Sequence, residues 1–371
     1  MRPRHVYVHV PFCARRCSYC DFAIAVRRIV PIGEYIDALN SELELRFPRS
    51  GRSAAETIYF GGGTPSLLGP EGVARTVELV LQHWQPEAAA EITLEANPEN
   101  VTADAARAWQ ASGINRVSLG AQSFHATALE WMHRTHSAAR AGEAITTLRD
   151  AGIDNLSVDL IFALPESVER NWRRDLDELL RLDPPHVSLY GLTFEPATPL
   201  GKWRDRGDVS EAPEERFERD FLAADAALRD AGYEHYEVSN YAKPGFRARH
   251  NSAYWERRPY AGLGPSAHSF DGAVRRWNLS AYAEWQTTVA SGVDPMAGGE
   301  TLTETNRAAE EAYLGLRTNA GIAADETIAH LAEPWIAQDW AKLSDGRLVL
   351  TPSGWLRLDT LAAELTRVPS R

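Results

Sequence analysis

Six short β-type runs, separated by stretches with helical spacing, set the tightest limit on what this chain can fold into. The runs are HVYVHV (5–10), TIYFG (57–61), EITLEAN (91–97), RVSLGAQ (116–122), NLSVDLIF (155–162) and HVSLYGL (186–192). Between the first two, Tyr35, Leu39, Leu43 and Phe47 recur every four residues and make the apolar stripe of a helix. Three helical stretches end alike, at Ser112-Gly113-Ile114, Ala151-Gly152-Ile153 and Ala231-Gly232-Tyr233. The glycine takes the left-handed position after the helix, and the apolar residue opens the next strand region. Repeated βα units predict a parallel sheet. With 44% hydrophobic residues, the chain can fill a core on its helix-covered face.

A parallel strand covered on both faces is apolar throughout. These strands alternate instead. Ile92, Leu94 and Ala96 oppose Thr93, Glu95 and Asn97; Val117, Leu119 and Ala121 oppose Ser118, Gly120 and Gln122; Leu156, Val158 and Leu160 oppose Ser157, Asp159 and Ile161. One face packs on helices, and the other presents carboxylates and an amide near the strands' C-terminal ends. In a β/α barrel those ends form the active-site mouth. The expected fold is α/β, a partial (β/α)6 barrel whose lumen surrounds a polar ligand. An open doubly wound sheet with scattered polar residues is the competing arrangement.

Three segments follow from composition: a barrel core over 1–240, a Gly-, Pro-, Trp- and Arg-rich loop or lid region over 241–299, and an α+β module over 300–371. The last holds SDGRLVLTPSGW, a hairpin leading into a helix, and so is winged-helix-like. The chain has 39 basic and 51 acidic residues, a net charge of −12. That balance excludes a general nucleic-acid binder, because a phosphate backbone demands a basic face. The module is therefore read as a docking or lid element. No apolar run reaches the ~18–20 residues that span a bilayer, so no stable membrane insertion is expected, and the N-terminus lacks a secretory apolar region. An odd, clustered cysteine set points to a reducing compartment, the cytoplasm.

All three cysteines, Cys13, Cys17 and Cys20, fall in the stretch VHVPFCARRCSYCDF (8–22). Thiolates suit zinc or iron–sulfur clusters. Zinc would need a fourth ligand, for which His5 and His9 are near in sequence. A [4Fe–4S] cluster on three thiolates leaves one iron open to a small molecule. Arg15 and Arg16 stand between the ligands and are expected to lower the thiol pKa values.

The pattern C-x3-C-x-Y-C directly after a first strand resembles the radical S-adenosylmethionine (SAM) family. Cys13, Cys17, Tyr19 and Cys20 match it as they stand, and YFGGGTP (59–65), LEANPE (94–99), GAQSF (120–124), HRTH (133–136) and DLIFALP (159–165) continue the likeness. Together they resemble the oxygen-independent coproporphyrinogen oxidase branch. The resemblance implies a [4Fe–4S] cluster on the three cysteines and SAM beside it. Tyr7 and Tyr19 would flank the cofactor, Gly62, Gly63 and Thr64 would meet its methionyl part, and Glu95 would hold its ribose hydroxyls. Gln122, Arg134, Asp159 and Thr193 would contribute to a second SAM-like site. Arg134 is alternatively no more than an ion-pair partner for Asp159.

Two departures sort the chain within that branch. The oxidases carry a further cysteine where Phe22 stands here, and an extension before the first strand that here begins within ten residues. Both departures, and HNSAYW (250–255), resemble the sister group of HemW-type haem chaperones with its H-N-x-x-Y-W motif. That likeness implies a haem-binding protein with His250 as an axial ligand and an acceptor protein not named by the sequence. Oxidative decarboxylation of coproporphyrinogen III is the alternative, so whether the chain turns over a substrate stays open here. His9, His133 and His136 are read as structural.

Overall fold

The computed structural model describes residues 2–49 and 53–366. Its centre is a 12-stranded sheet. In chain order the strands are β1 (His5–Val10), β2 (Ser53–Gly62), β3 (Trp84–Ala96), β4 (Arg116–Gln122), β5 (Asn155–Phe162), β6 (His186–Gly191), β7 (Glu234–Glu237), β8 (Asn240–Ala242), β9 (Tyr260–Leu263), β10 (His268–Phe270), β11 (Val274–Asn278) and β12 (Met296–Thr301). Strands β1 to β6 lie side by side in chain order and run parallel. Strand β9 joins the other side of β1, again parallel. Antiparallel strands finish both flanks, β8 and β7 beyond β6, and β10, β11 and β12 beyond β9. The result is an α/β fold on a large, mostly parallel sheet.

Helices α1 (Ile32–Arg46), α2 (Gly69–Leu81), α3 (Ala103–Ala111), α4 (Ala138–Asp150), α5 (Trp172–Leu182) and α6 (Glu214–Asp230) follow β1 to β6 in turn. Side chains start several of them: Thr102, Ser137 and Asn171 each accept an amide of the first turn. The glycines that end α3, α4 and α6 have φ of 102°, 84° and 85°, the left-handed stop read from the sequence. The apolar strand face (Val6, Val8, Phe60, Leu119, Val158, Leu189) joins Leu39, Val77, Trp109, Leu148 and Leu179 of the helices in one buried core.

The register gathers the opposite face into rows. Tyr7 is level with Tyr59, Tyr59 with Thr93 and Thr93 with Arg116. Above that row, Glu95 is level with Ser118, Ser118 with Ser157 and Ser157 with His186. The polar alternation seen in single strands thus forms one continuous polar face.

Residues 241–299 differ from the loop or lid reading. They supply α7 (Arg249–Trp255), β9, β10, β11 and most of β12. Their glycines mark close strand approach: a Cβ at Gly262 would sit 1.8 Å from the His268 carbonyl oxygen, and one at Gly298 would sit 2.7 Å from the Trp277 ring. Composition alone makes such strands look like loops. Beyond them, α8 (Glu304–Leu316), a three-stranded sheet of β13 (Ile322–Ala323), β14 (Ala341–Ser344) and β15 (Arg347–Leu350), and α9 (Leu358–Thr366) enclose a second core around Leu316, Trp335, Leu348 and Trp355. No helix among the described residues is long and apolar enough to cross a membrane.

Candidate functional site

The cysteine loop leaves the C-terminal end of β1 and lies over the polar face. Cys13 Sγ is 3.6 Å from Thr64 Oγ1, and Cys17 Sγ is 3.6 Å from Arg134 Nη1. The Cys20 amide donates to the Cys17 carbonyl at 3.4 Å. The expected lowering of the thiol pKa values by Arg15 and Arg16 is reversed. Both arginines are exposed, and although Arg16 Nη1 donates to the Cys20 carbonyl at 3.4 Å and lowers that thiol in part, burial outweighs it: burial pushes the Cys13 thiol up to about 11 and raises Cys20 as well. Such thiols ionise when a metal centre supplies the compensating charge. In an iron–sulfur cluster each thiolate meets a different iron, so the sulfurs need not converge on one point. Among the described residues no three metal-ligating side chains do converge. The three-thiol donor set fits a cluster held at the end of β1. Phe22, at the position of the further cysteine, is 61% exposed.

The glycines at the end of β2 have a packing reason of their own. A Cβ on Gly62 would meet the His9 ring at 2.6 Å, and one on Gly63 would meet the Pro11 and Phe12 backbone at 2.7 Å. They let β2 press against the start of the cysteine loop. Gly62 also has φ 116°, which leaves its amide donating to Glu95 Oε2 at 3.0 Å. Tyr59 donates its hydroxyl to Glu95 Oε1 at 2.8 Å. Burial nevertheless raises the Glu95 carboxyl to about 7, because the two donors recover only part of the lost hydration. Thr64 is buried and accepts from Asn97 Nδ2 at 3.5 Å.

Arg134 does not pair with Asp159. Its Nη2 donates to Asn97 Oδ1 at 2.6 Å and to the Gly120 carbonyl at 2.9 Å, beside the Tyr19 hydroxyl. Asp159 is held by Ser118 and Ser157, each at 3.1 Å, and burial raises its carboxyl. Gln122 sits in the left-handed region at φ 66°, where the β4–β5 register shifts by a bulge. The bulge keeps its amide over Gly120: a Cβ there would meet Gln122 Nε2 at 3.0 Å, Asn97 Oδ1 at 3.3 Å and Arg134 Nη2 at 3.4 Å. This polar cradle above Gly120 joins the cysteine loop through Arg134. Thr193 lies exposed just beyond β6. On the β1 side, the Tyr7 hydroxyl meets His9 Nδ1 at 3.1 Å, and the Tyr7 and Tyr59 rings stack at 6.1 Å.

His250, on α7, is 1% exposed and faces the same rings, stacking on Tyr59 at 5.0 Å and Tyr7 at 6.4 Å. Its Nδ1 is 2.7 Å from Thr57 Oγ1, and its Nε2 is 2.8 Å from the Tyr254 hydroxyl. Burial lowers its pKa to about 3, so the ring is neutral at physiological pH. Both ring nitrogens therefore hold partners. Of the other histidines, His9 bonds Tyr7 and the Ala23 carbonyl, and His136 bonds the Ala121 carbonyl.

Sequence reading gave no site role to Thr57, Tyr59 and Arg116, and left Asn97 on the polar face without a partner. Strand parity could have found Tyr59 and Thr57, which share the face of Tyr7 and His5 across β1 and β2. Strand parity put Asn97 on the polar face, but its role depends on Arg134 arriving from a loop.

Comparison with known proteins adds to this geometry. The Radical SAM superfamily profile matches residues 7–179. A Mycobacterium tuberculosis protein named haem chaperone HemW is 34% identical, over 98% of this chain and 95% of its own length. A Synechocystis protein of the same name is 35% identical, over 87% of this chain and 80% of its own. Among solved structures, the coproporphyrinogen III oxidase HemN from Escherichia coli superimposes with a TM-score of 0.83 over 99% of this chain and 90% of its own, at 21% identity. That last likeness speaks to the fold.

Proposed function

The chain belongs to the Radical SAM superfamily and, within it, to the family of the HemW haem chaperones, and from that premise we propose that it binds haem next to a cluster-and-SAM site and passes the haem to an acceptor protein. The observation that carries the reading is the contact of His250 with Tyr7 and Tyr59. It sets the HNxxYW helix against the polar face that bears the cysteine loop.

When bound, a [4Fe–4S] cluster and SAM supply reducing power and a coordinated sulfonium cofactor. Cys13, Cys17 and Cys20 would hold the cluster. Gly62, Gly63 and Thr64 would border the methionyl end of SAM, Glu95 its ribose, and Tyr7 and Tyr19 its flanks. Gln122, Arg134, Asp159 and Thr193 would complete the cradle region. Glu95 spends both oxygens on Tyr59 and Gly62, so a diol must share or displace one of those donors.

For His250 the hydrogen bonds define what haem ligation requires. Thr57 Oγ1 accepting from Nδ1–H leaves the lone pair on Nε2, the tautomer a metal ligand needs. Tyr254 then donates to that lone pair, and ligation needs its hydroxyl to turn away. Residues 1–240 act as the cofactor unit, 241–299 continue its sheet and carry the motif, and 300–371 form the C-terminal module; the cytoplasm is the compartment. The test is anaerobic reconstitution followed by assay with coproporphyrinogen III under reducing conditions. The reading expects no vinyl porphyrin. Vinyl product with stoichiometric deoxyadenosine would replace it by the oxidase reading.

A further inference from the structure

A pocket of about 380 Å³ opens beside Tyr7, between β1, β9 and β10 on one side and α7 and α8 on the other. Aromatic rings make its walls: Tyr7, Tyr254, Trp255, Tyr260 and Phe270. Its volume is at the small end of ligand sites, and its mouth is wide. A flat macrocycle enters such a space edge-on and keeps one edge outside, where an acceptor can reach it.

Three histidines stand in or behind this wall, and they are not equivalent. His9 has both nitrogens bonded, to Tyr7 and to the Ala23 carbonyl. His250 lies behind Tyr254 with both nitrogens bonded. His268 lines the pocket, is exposed, and stacks on Trp277 at 5.7 Å and 30°. Neither of its ring nitrogens holds a hydrogen bond among the described residues. It is the one imidazole of the three that can take a metal without first losing a partner. Trp277 fixes the ring plane from behind, on the neighbouring strand where the two residues are paired.

The rim carries two arginines, both already paired with carboxylates. Arg257 and Arg275 reach the same carboxylate, Glu310, at 3.4 Å and 2.8 Å. Glu311 and Glu300 take their other sides at 2.5 Å and 2.9 Å. Arg257 Nε and Glu310 Oε2 are the two atoms of that 3.4 Å pair, buried together and too poorly aligned for a hydrogen bond. Glu311 is 69% exposed, so a ligand carboxylate can take its place on Arg257 Nη1 without moving the Glu310 pair.

Resting on the haem reading above, we propose that this pocket is where an iron porphyrin docks, with His268 as the ligand to iron and Arg257 on a propionate. His250 is then the ligand held in reserve behind Tyr254, and His268 the one offered to arriving haem. The assignment makes capture a two-stage process, since the first stage moves no buried group.

The experiment titrates the reconstituted full chain with haemin and reads the Soret band and ligand-field bands. His268→Ala is expected to weaken binding at least tenfold and to shift the bands, with added imidazole restoring them. Arg257→Gln is expected to weaken haemin severalfold while leaving the affinity for its dimethyl ester unchanged. His268 is exposed, so its loss does not threaten the fold, and circular dichroism checks this. Wild-type affinity and spectrum in His268→Ala overturn the ligand assignment while leaving the haem reading intact. Equal loss of haemin and ester in Arg257→Gln overturns the propionate contact. Absence of saturable haemin binding in the wild type removes the parent reading, a result distinct from either.

Discussion

Glu95→Gln tests the electrostatics of the polar face directly. Burial holds the Glu95 carboxyl near 7 against an ordinary glutamate value of 4.5. At ~1.36 kcal/mol per pH unit, ionising it in the folded chain costs about 3 kcal/mol more than ionising it in the unfolded chain. The sign follows from which state holds the proton. Between about pH 4.5 and 7 the folded chain binds it more tightly, so this carboxyl's contribution falls as pH rises through that window. Glutamine cannot ionise and keeps one acceptor for Tyr59 or the Gly62 amide; the one hydrogen bond lost costs roughly 1–2 kcal/mol. The variant should therefore be slightly less stable than wild type at pH 5 and more stable at pH 8. The difference between those two offsets is about 2.5 kcal/mol, because at pH 5 the unfolded carboxyl is already partly ionised. Urea unfolding of cluster-free protein at the two pH values measures it, and the subtraction cancels every group the variants share. The same offset at both pH values would refute the reasoning. The same substitution should also weaken SAM binding, read by calorimetry on reconstituted protein, if Glu95 holds the ribose.

Other outcomes follow from single contacts. Serine at Cys13, Cys17 or Cys20 should abolish the broad iron–sulfur absorbance after anaerobic reconstitution, while leaving far-ultraviolet dichroism unchanged. Tyr254→Phe removes the hydroxyl paired with His250 Nε2, a bond worth ~1 kcal/mol net, and should tighten haemin about fivefold if His250 ligates iron; a titration reads this. Arg317 lies 2.8 Å from the fully buried Glu237 and packs on Trp255 at 4.2 Å. Arg317→Ala strands that carboxylate and should cost ~3–5 kcal/mol in denaturant unfolding, with Glu237→Gln in the same chain recovering most of it.

The helix-facing half of the fold was legible because it follows period and punctuation. Val6, Val8, Leu119 and Val158 are core by strand parity alone, and Gly113, Gly152 and Gly232 stop helices by their backbone freedom. What misled was composition without spacing. Gly262 and Gly298 mark tight strand contacts rather than loops. Charge was misjudged for a related reason. Arg15 and Arg16 are close to the cysteines in sequence, yet burial decides the thiols, and the guanidinium on Cys17 belongs to Arg134, 117 residues away. Arg134 faces the cysteine loop rather than Asp159 because the Gly120 carbonyl and Asn97 give it a better-defined seat. Gly62 and Gly63 show how a correct motif can have two causes, since packing against His9 and Pro11 already demands them. His250 shows the opposite case. The sequence marks the imidazole, and only the structure reveals that Thr57 and Tyr254 occupy both nitrogens.

The most direct test of haem carriage is the stoichiometry of haem on the anaerobically reconstituted chain. The account predicts saturable binding of one haemin per chain, with bands of histidine-ligated iron, in protein that also shows the cluster absorbance. Non-saturating haemin uptake with no ligand-field signature, in protein whose cluster is intact, would contradict it.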